Sequence, residues 1–108
     1  MEIYGPAIHP GEILRDELAA LNVAGGEFAR DLRVHPSSVS RLLNGKQDMT
    51  PELALRIGQW FGTGPELWLN LQLSHDLKHA RKTVGSSLKG IVRWGGRRPA
   101  AAMLRDSA

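Results

Sequence analysis

Apolar residues recur along this chain at helical rather than alternating spacing, in five separate runs. In the first, Ile13, Leu14, Leu18 and Leu21 fall at i, i+1, i+5 and i+8, with Arg15 and Asp16 outside the stripe. That is one face of an amphipathic helix. Pro10 at its start and Glu12 in its first turn suit a helix N-terminus, so a helix is predicted over residues 10–22. His9 just before it reads as a capping or surface residue. Residues 23–26, Val-Ala-Gly-Gly, read as a linker, because each glycine lowers helix stability by about 1 kcal/mol relative to alanine. Phe28, Ala29 and Leu32 form the second stripe, and residues 33–35 a turn. Pro36 opens a third helix, on which Val39, Leu42 and Leu43 share a side; Asn44 and Gly45, both tolerant of left-handed backbone, end it. Thr50 caps a fourth helix with Pro51 at its first position. Leu53, Leu55, Ile57, Trp60 and Phe61 make it the central packing helix, broken at residues 62–64. A fifth helix starts at Pro65–Glu66 and runs to about Arg81.

The second and third helices make a short pair joined by a tight turn. Opposite its apolar stripe the third helix carries Ser37, Ser38, Ser40 and Arg41. Small hydroxyl side chains let a helix backbone approach the major groove of DNA, and an arginine can donate two bonds to a guanine edge. Serines outside a small helical bundle are also ordinary solvated residues, so the pattern alone does not decide. Charge tips the balance. Between Arg33 and Gln47 lie Arg33, Arg41 and Lys46 and no acid, with Asp31 and Asp48 just outside. Phosphate binding needs such an acid-free patch.

Composition narrows the picture. At 108 residues and 42% hydrophobic, one domain with a modest core is expected. The organisation reads as an N-terminal extension over 1–8, a helical domain over 9–81, and a basic flexible tail over 82–108 whose residues 88–94 can form a short ordered piece. The formal net charge is +3, but residues 1–80 hold seven Lys and Arg against ten Asp and Glu, a net of −3. The basic pI therefore comes from the tail, and is no argument for DNA binding by the domain. Cysteine is absent, which excludes disulfides and thiolate metal sites and fits a cytoplasmic protein. No apolar run has the length of a membrane span, and the first residues lack a signal peptide's basic start and apolar core.

Two further features suggest other roles. His75 and His79 stand four apart on the fifth helix, around Asp76, and resemble half a zinc-protease motif. A catalytic metal needs a third ligand, and none is apparent nearby in the sequence. No nucleophile–base pair or phosphate-binding glycine loop is present either, so neither enzymatic activity nor a cofactor is expected. Leu67, Trp68, Leu71, Leu73 and Leu77 make the fifth helix apolar over more than one face. Such an excess suggests dimerisation; alternatively Trp60, Trp68 and these leucines close the monomer core.

Four blocks in order, HPGEILRDEL at 9–18, VHPSSVSRLLNGK at 34–46, TPELALRI at 50–57 and GPELWLNLQ at 64–72, resemble HigA-type antitoxins of the lambda-repressor-like helix-turn-helix group. The resemblance covers about residues 9–80 and not the tail. It implies an all-α, five-helix DNA-binding domain, a bacterial homodimer that represses its own operon, and a HigB-like toxin partner, a RelE-type mRNA endonuclease; the two recognition helices of a dimer would then read a near-palindromic operator. Carried onto matching positions, it gives His35, Ser38 and Arg41 to base or groove contacts, where the helical projection favours Ser37 and Arg41 flanked by Ser38 and Ser40. It gives Ala24 and Gly25, where many relatives have Ser-Gln, to phosphate contacts, which Lys46 would share. It also places His35 and Pro36 where many relatives start the recognition helix with a serine cap.

Overall fold

The computed structural model describes residues 8–95, and the expectations for the N-terminal extension before Ile8 and for the last residues of the tail lie outside them. Among the described residues there are five α-helices and no strand: α1 (Pro10–Leu21), α2 (Gly25–Leu32), α3 (Pro36–Leu43), α4 (Pro51–Phe61) and α5 (Glu66–Val84), followed by a 3-10 turn at Ser87–Gly90. None of these helices is long and apolar enough to cross a membrane.

Local chemistry explains most of the boundaries. The Thr50 hydroxyl accepts from the Leu53 N–H at 3.2 Å, and Pro51 follows at the first helical position. α1 ends on Asn22 in the left-handed region, α2 on Arg33 at φ 60°. At the end of α3, Asn44 stays right-handed and Gly45 alone takes positive φ. The Gly45 N–H then reaches the Leu42 carbonyl and the Lys46 N–H the Arg41 carbonyl, the paired closure of a Schellman end.

Three expectations change. Gly25 and Gly26 are the first turn of α2 rather than a linker, with Ala24 as an extended N-cap that makes no side-chain cap bond. Gly25 lies against α3, where a Cβ would meet Leu43 and Val39 at ordinary contact distance, so packing offsets the glycines' weak helix propensity. Leu55 and Leu21 are 59% and 52% exposed and take no part in the core. α5 continues three residues past Arg81, to Val84.

The core is one cluster. Leu14 and Leu18 come from α1, Phe28, Ala29 and Leu32 from α2, Val39 and Leu42 from α3, Leu53, Ala54 and Ile57 from α4, and Trp68 from α5, with Met49 inserted from the loop after α3. Each fully buried large side chain contributes about 1.5–3 kcal/mol. Edge-on aromatic pairs, Phe28–Trp60 at 5.0 Å and Trp60–Phe61 at 4.8 Å, and a tilted pair, Phe61–Trp68 at 5.6 Å, tie α2, α4 and α5 together. Where α1 meets the end of α3 the backbones nearly touch: a Cβ on Gly11 would sit 1.9 Å from the Leu42 carbonyl oxygen. Only glycine fits there, and this contact fixes α3 against the rest of the domain.

Candidate nucleic-acid interface

α3 begins at an extended His35 whose Nδ1 accepts from the Ser37 N–H at 3.1 Å. The imidazole thus does the capping that a serine or aspartate usually does. Because Nδ1 is the acceptor, the neutral ring carries its proton on Nε2 and keeps that donor for another partner. The Ser37 Oγ lies 2.8 Å from His35 Nδ1 and accepts from Arg41 Nη1 at 3.3 Å. Arg41 Nε donates to Gln47 Oε1 at 3.2 Å. His35, Ser37, Arg41 and Gln47 therefore form one hydrogen-bonded row along the exposed side of α3, with the guanidinium held by residues before and after it. Ser40 is exposed and Ser38 half-buried, so the helical projection, with Ser37 and Arg41 central, describes the exposed face. Val39 and Leu42 are buried behind it, and Leu43 is half-buried.

Beside this row a cleft of about 350 Å³ opens between α1, the start of α2 and α3, lined by Arg15, Gly25, Gly26, Pro36, Val39, Ser40, Leu43 and Asn44. With no side-chain cap at Ala24, the first amides of α2 have no local acceptor, and the helix dipole adds partial positive charge there. Arg15 stands at the same cleft, donating through Nη2 to Asn44 Oδ1, while Asn44 Nδ2 donates to the Ser40 carbonyl at 2.9 Å. Ala24, Gly25 and Arg15 thus stand together on one side of α3, and Lys46 is exposed just past its other end. Arg33 is elsewhere, in the groove between α2 and α4 with Asp31, Leu55 and Arg56.

Sequence reading missed Arg15, Asn44 and Gln47. Arg15 carries no local signal, since its role depends on a partner 29 residues away. It also missed Gln72, which is 7% exposed. Gln72 Oε1 accepts from the Met49 N–H at 2.6 Å, and its Nε2 donates to Asp76 at 2.9 Å and Asp48 at 3.4 Å. One side chain of α5 thereby pins the loop that follows α3.

The residues expected at a dimer interface divide. Trp68 is 2% exposed and belongs to the core; Leu71 packs half-buried against it. Trp68 is therefore not available to a second chain in this fold, a correction to its expected role, because α4 and Phe61 cover it. Leu67, Leu73 and Leu77 are 55%, 56% and 41% exposed.

The histidines acquire a third neighbour. His75 and His79 rings lie 4.5 Å apart, and His9 sits 5.1 Å from His75. His9 caps α1, its Nδ1 accepting from the Gly11 N–H at 2.9 Å, and it is buried rather than on the surface. Burial, and after it the neighbouring His75, hold its pKa below the ordinary histidine value. With Nδ1 used as acceptor, Nε2 is protonated in the neutral ring, and it is buried without a hydrogen-bond partner. A protonated nitrogen is not a metal ligand, and no group of three or more His, Asp or Glu among the described residues has metal-binding geometry.

No protein-family model matches the chain. The uncharacterised helix-turn-helix-type transcriptional regulator YddM of Escherichia coli is 46% identical over 84 residues, which cover 77% of this chain and 89% of the relative. The structure of an addiction module antidote protein of a HigA family from Coxiella burnetii superposes with a TM-score of 0.78 at 40% identity, covering 82% of this chain and 97% of that one. The Pseudomonas aeruginosa antitoxin HigA, solved with the higBA promoter, superposes with a TM-score of 0.77 at 31% identity over 82% and 97% of the two chains.

Proposed function

Since the chain belongs to the HigA family of helix-turn-helix antitoxins and regulators, we propose that it is an antitoxin that represses its own operon and neutralises a HigB-like mRNA endonuclease. The observation that carries the DNA-binding half is the row His35–Ser37–Arg41–Gln47 beside the cleft of Arg15 and the α2 amides. In this reading α3 enters the major groove. Arg41 exchanges its bonds to Ser37 and Gln47 for a guanine edge; His35, Ser37, Ser38 and Ser40 line the groove around it. The amides of Gly25 and its neighbours at Ala24, together with Arg15 and Lys46, hold phosphates on either side. Relatives in this family act as DNA-binding regulators and antidotes, and no catalytic role is assigned to any residue here.

Homodimer formation gives the two recognition helices that a near-palindromic operator requires. About 100° per residue places Leu73, Leu77 and Val84 on the side of α5 opposite Trp68 and Gln72, and all three are exposed. This stripe is the proposed dimer contact; Leu67, roughly 80–120° around the helix, and Leu71, half-buried against the core on another side, lie outside it. The net charge of −3 over residues 1–80 favours encounter with a small basic toxin.

The similarity to a protein described only as a transcriptional regulator supports a second reading, a stand-alone repressor without a toxin. Two measurements together separate them. The full chain is titrated against the DNA upstream of its own gene, and it is co-expressed with the small protein encoded beside it. Tight promoter binding and rescue of growth support the antitoxin. Promoter binding without rescue supports the stand-alone repressor, and absence of promoter binding overturns both.

A further inference from the structure

We propose that the groove between α1 and the α4–α5 turn receives an apolar side chain from the basic toxin, on the side of the domain away from the operator, so that one antitoxin holds DNA and toxin together. The inference rests on the antitoxin reading above and assigns it a surface. The groove has a volume of about 220 Å³ and is lined by Ile13, Glu17, Phe61, Thr63, Leu67 and Trp68. Leu67 is 55% exposed, and Ile13 and Phe61 are half-buried, so apolar walls are already in place for one large side chain.

Charge identifies the occupant. Glu17 is the ionisable group of the lining and Asp16 adjoins it. Neither makes an ion pair among the described residues, and no lysine or arginine lines the groove. An apolar slot edged by unpaired carboxylates fits an apolar anchor flanked by lysine or arginine, the chemistry of a small basic protein.

Helix geometry sets the groove apart from both other surfaces. Ile13 and Glu17 each stand two residues from Arg15, about 200° around α1, so the groove and the arginine at the DNA-side cleft occupy opposite sides of that helix. On α5, Leu73 and Leu77 lie roughly 80–120° around from Leu67, leaving the groove open beside a dimer built on that stripe.

The test uses the full chain, the purified small basic protein encoded beside its gene, and the promoter DNA. Glu17→Lys, a change on an exposed residue, is expected to slow toxin association and weaken binding about tenfold. Leu67→Asp is expected to speed toxin dissociation by a similar factor, about tenfold. Both variants keep wild-type promoter affinity, and wild type forms a ternary complex with toxin and DNA. Toxin affinity unchanged in both variants, or toxin and DNA excluding each other on wild type, overturns the groove assignment and leaves the antitoxin reading standing. Leu67→Asp turning the dimer into a monomer would make the groove a contact between copies and overturn it too. No toxin binding by wild type sinks both readings.

Discussion

α3 and α5 both carry side chains that the monomer keeps out of its core, but of opposite kinds. The side chains outside on α3 are polar and bonded to one another, from His35 through Ser37 and Arg41 to Gln47. Those on α5 are Leu67, Leu73, Leu77 and Val84, exposed hydrocarbon on a helix of 19 residues. Water satisfies the first surface and not the second. A hydrogen-bonded polar row loses little on standing free and can trade its bonds for those of a base edge. An apolar stripe gains by being covered, which is the property of a protein contact. One small domain thus presents a surface suited to nucleic acid and another suited to protein, joined by Gln72, whose side chain runs from α5 to the loop after α3.

The largest effect should come from breaking the apolar side. The double substitution Leu73→Glu and Leu77→Glu places like charges across the proposed dimer contact. It is expected to give a folded monomer by light scattering and to lower operator affinity about a hundredfold or more, because the second half-site is no longer held at high effective concentration. A dimer that survives the double substitution would move the contact elsewhere on α5 or off it.

Next comes the polar side. Arg41→Ala should cost about 1–3 kcal/mol per half-site and relax base preference at one symmetric position of the operator. Unchanged affinity and preference in a binding titration on operator variants would remove α3 from the groove.

The link between the two regions gives an effect on stability instead. Gln72→Leu leaves the buried Met49 N–H without an acceptor, and should lower unfolding free energy by about 1–3 kcal/mol in a urea titration. If the loop is pinned only by the burial of Met49, stability will hold.

A smaller change, Lys46→Ala, should weaken binding to all DNA sequences alike and reduce the magnitude of the salt slope by about one. A loss restricted to the operator would place Lys46 at a base.

The smallest effect concerns pH. Burial first, and His75 second, hold the His9 pKa below its ordinary value in the folded chain. The unfolded chain therefore takes up the proton first as pH falls below about 6.5, and stability declines from there down to the lower folded value. His9→Asn keeps a capping side chain and removes the titration, so its melting temperature should fall less than that of wild type on acidification. Equal declines in the two proteins would assign the acid sensitivity to other groups.

Sequence alone determined the number and order of the helices and the exposed face of α3. Those follow from local chemistry: Thr50 and Pro51 start a helix wherever they stand before an apolar run, Gly45 ends one, and Ser37 and Arg41 share a side because helical spacing puts i and i+4 together. The start of α2 is not legible in the sequence, because Gly25 and Gly26 lack helix propensity and what holds that turn is the packing of Gly25 on α3. Tertiary structure alone decided how the fifth helix is used. Leu67, Trp68, Leu71, Leu73 and Leu77 are alike in hydropathy, and only the packing of α1 and α4 against α5 determines that Trp68 goes inside, Leu67 edges a groove and Leu73 and Leu77 face outward. The same holds for Arg15 with Asn44, Gln72 with Met49 and His9 with His75. Each pair is distant in sequence, and a periodic pattern records only what a residue owes to its own helix.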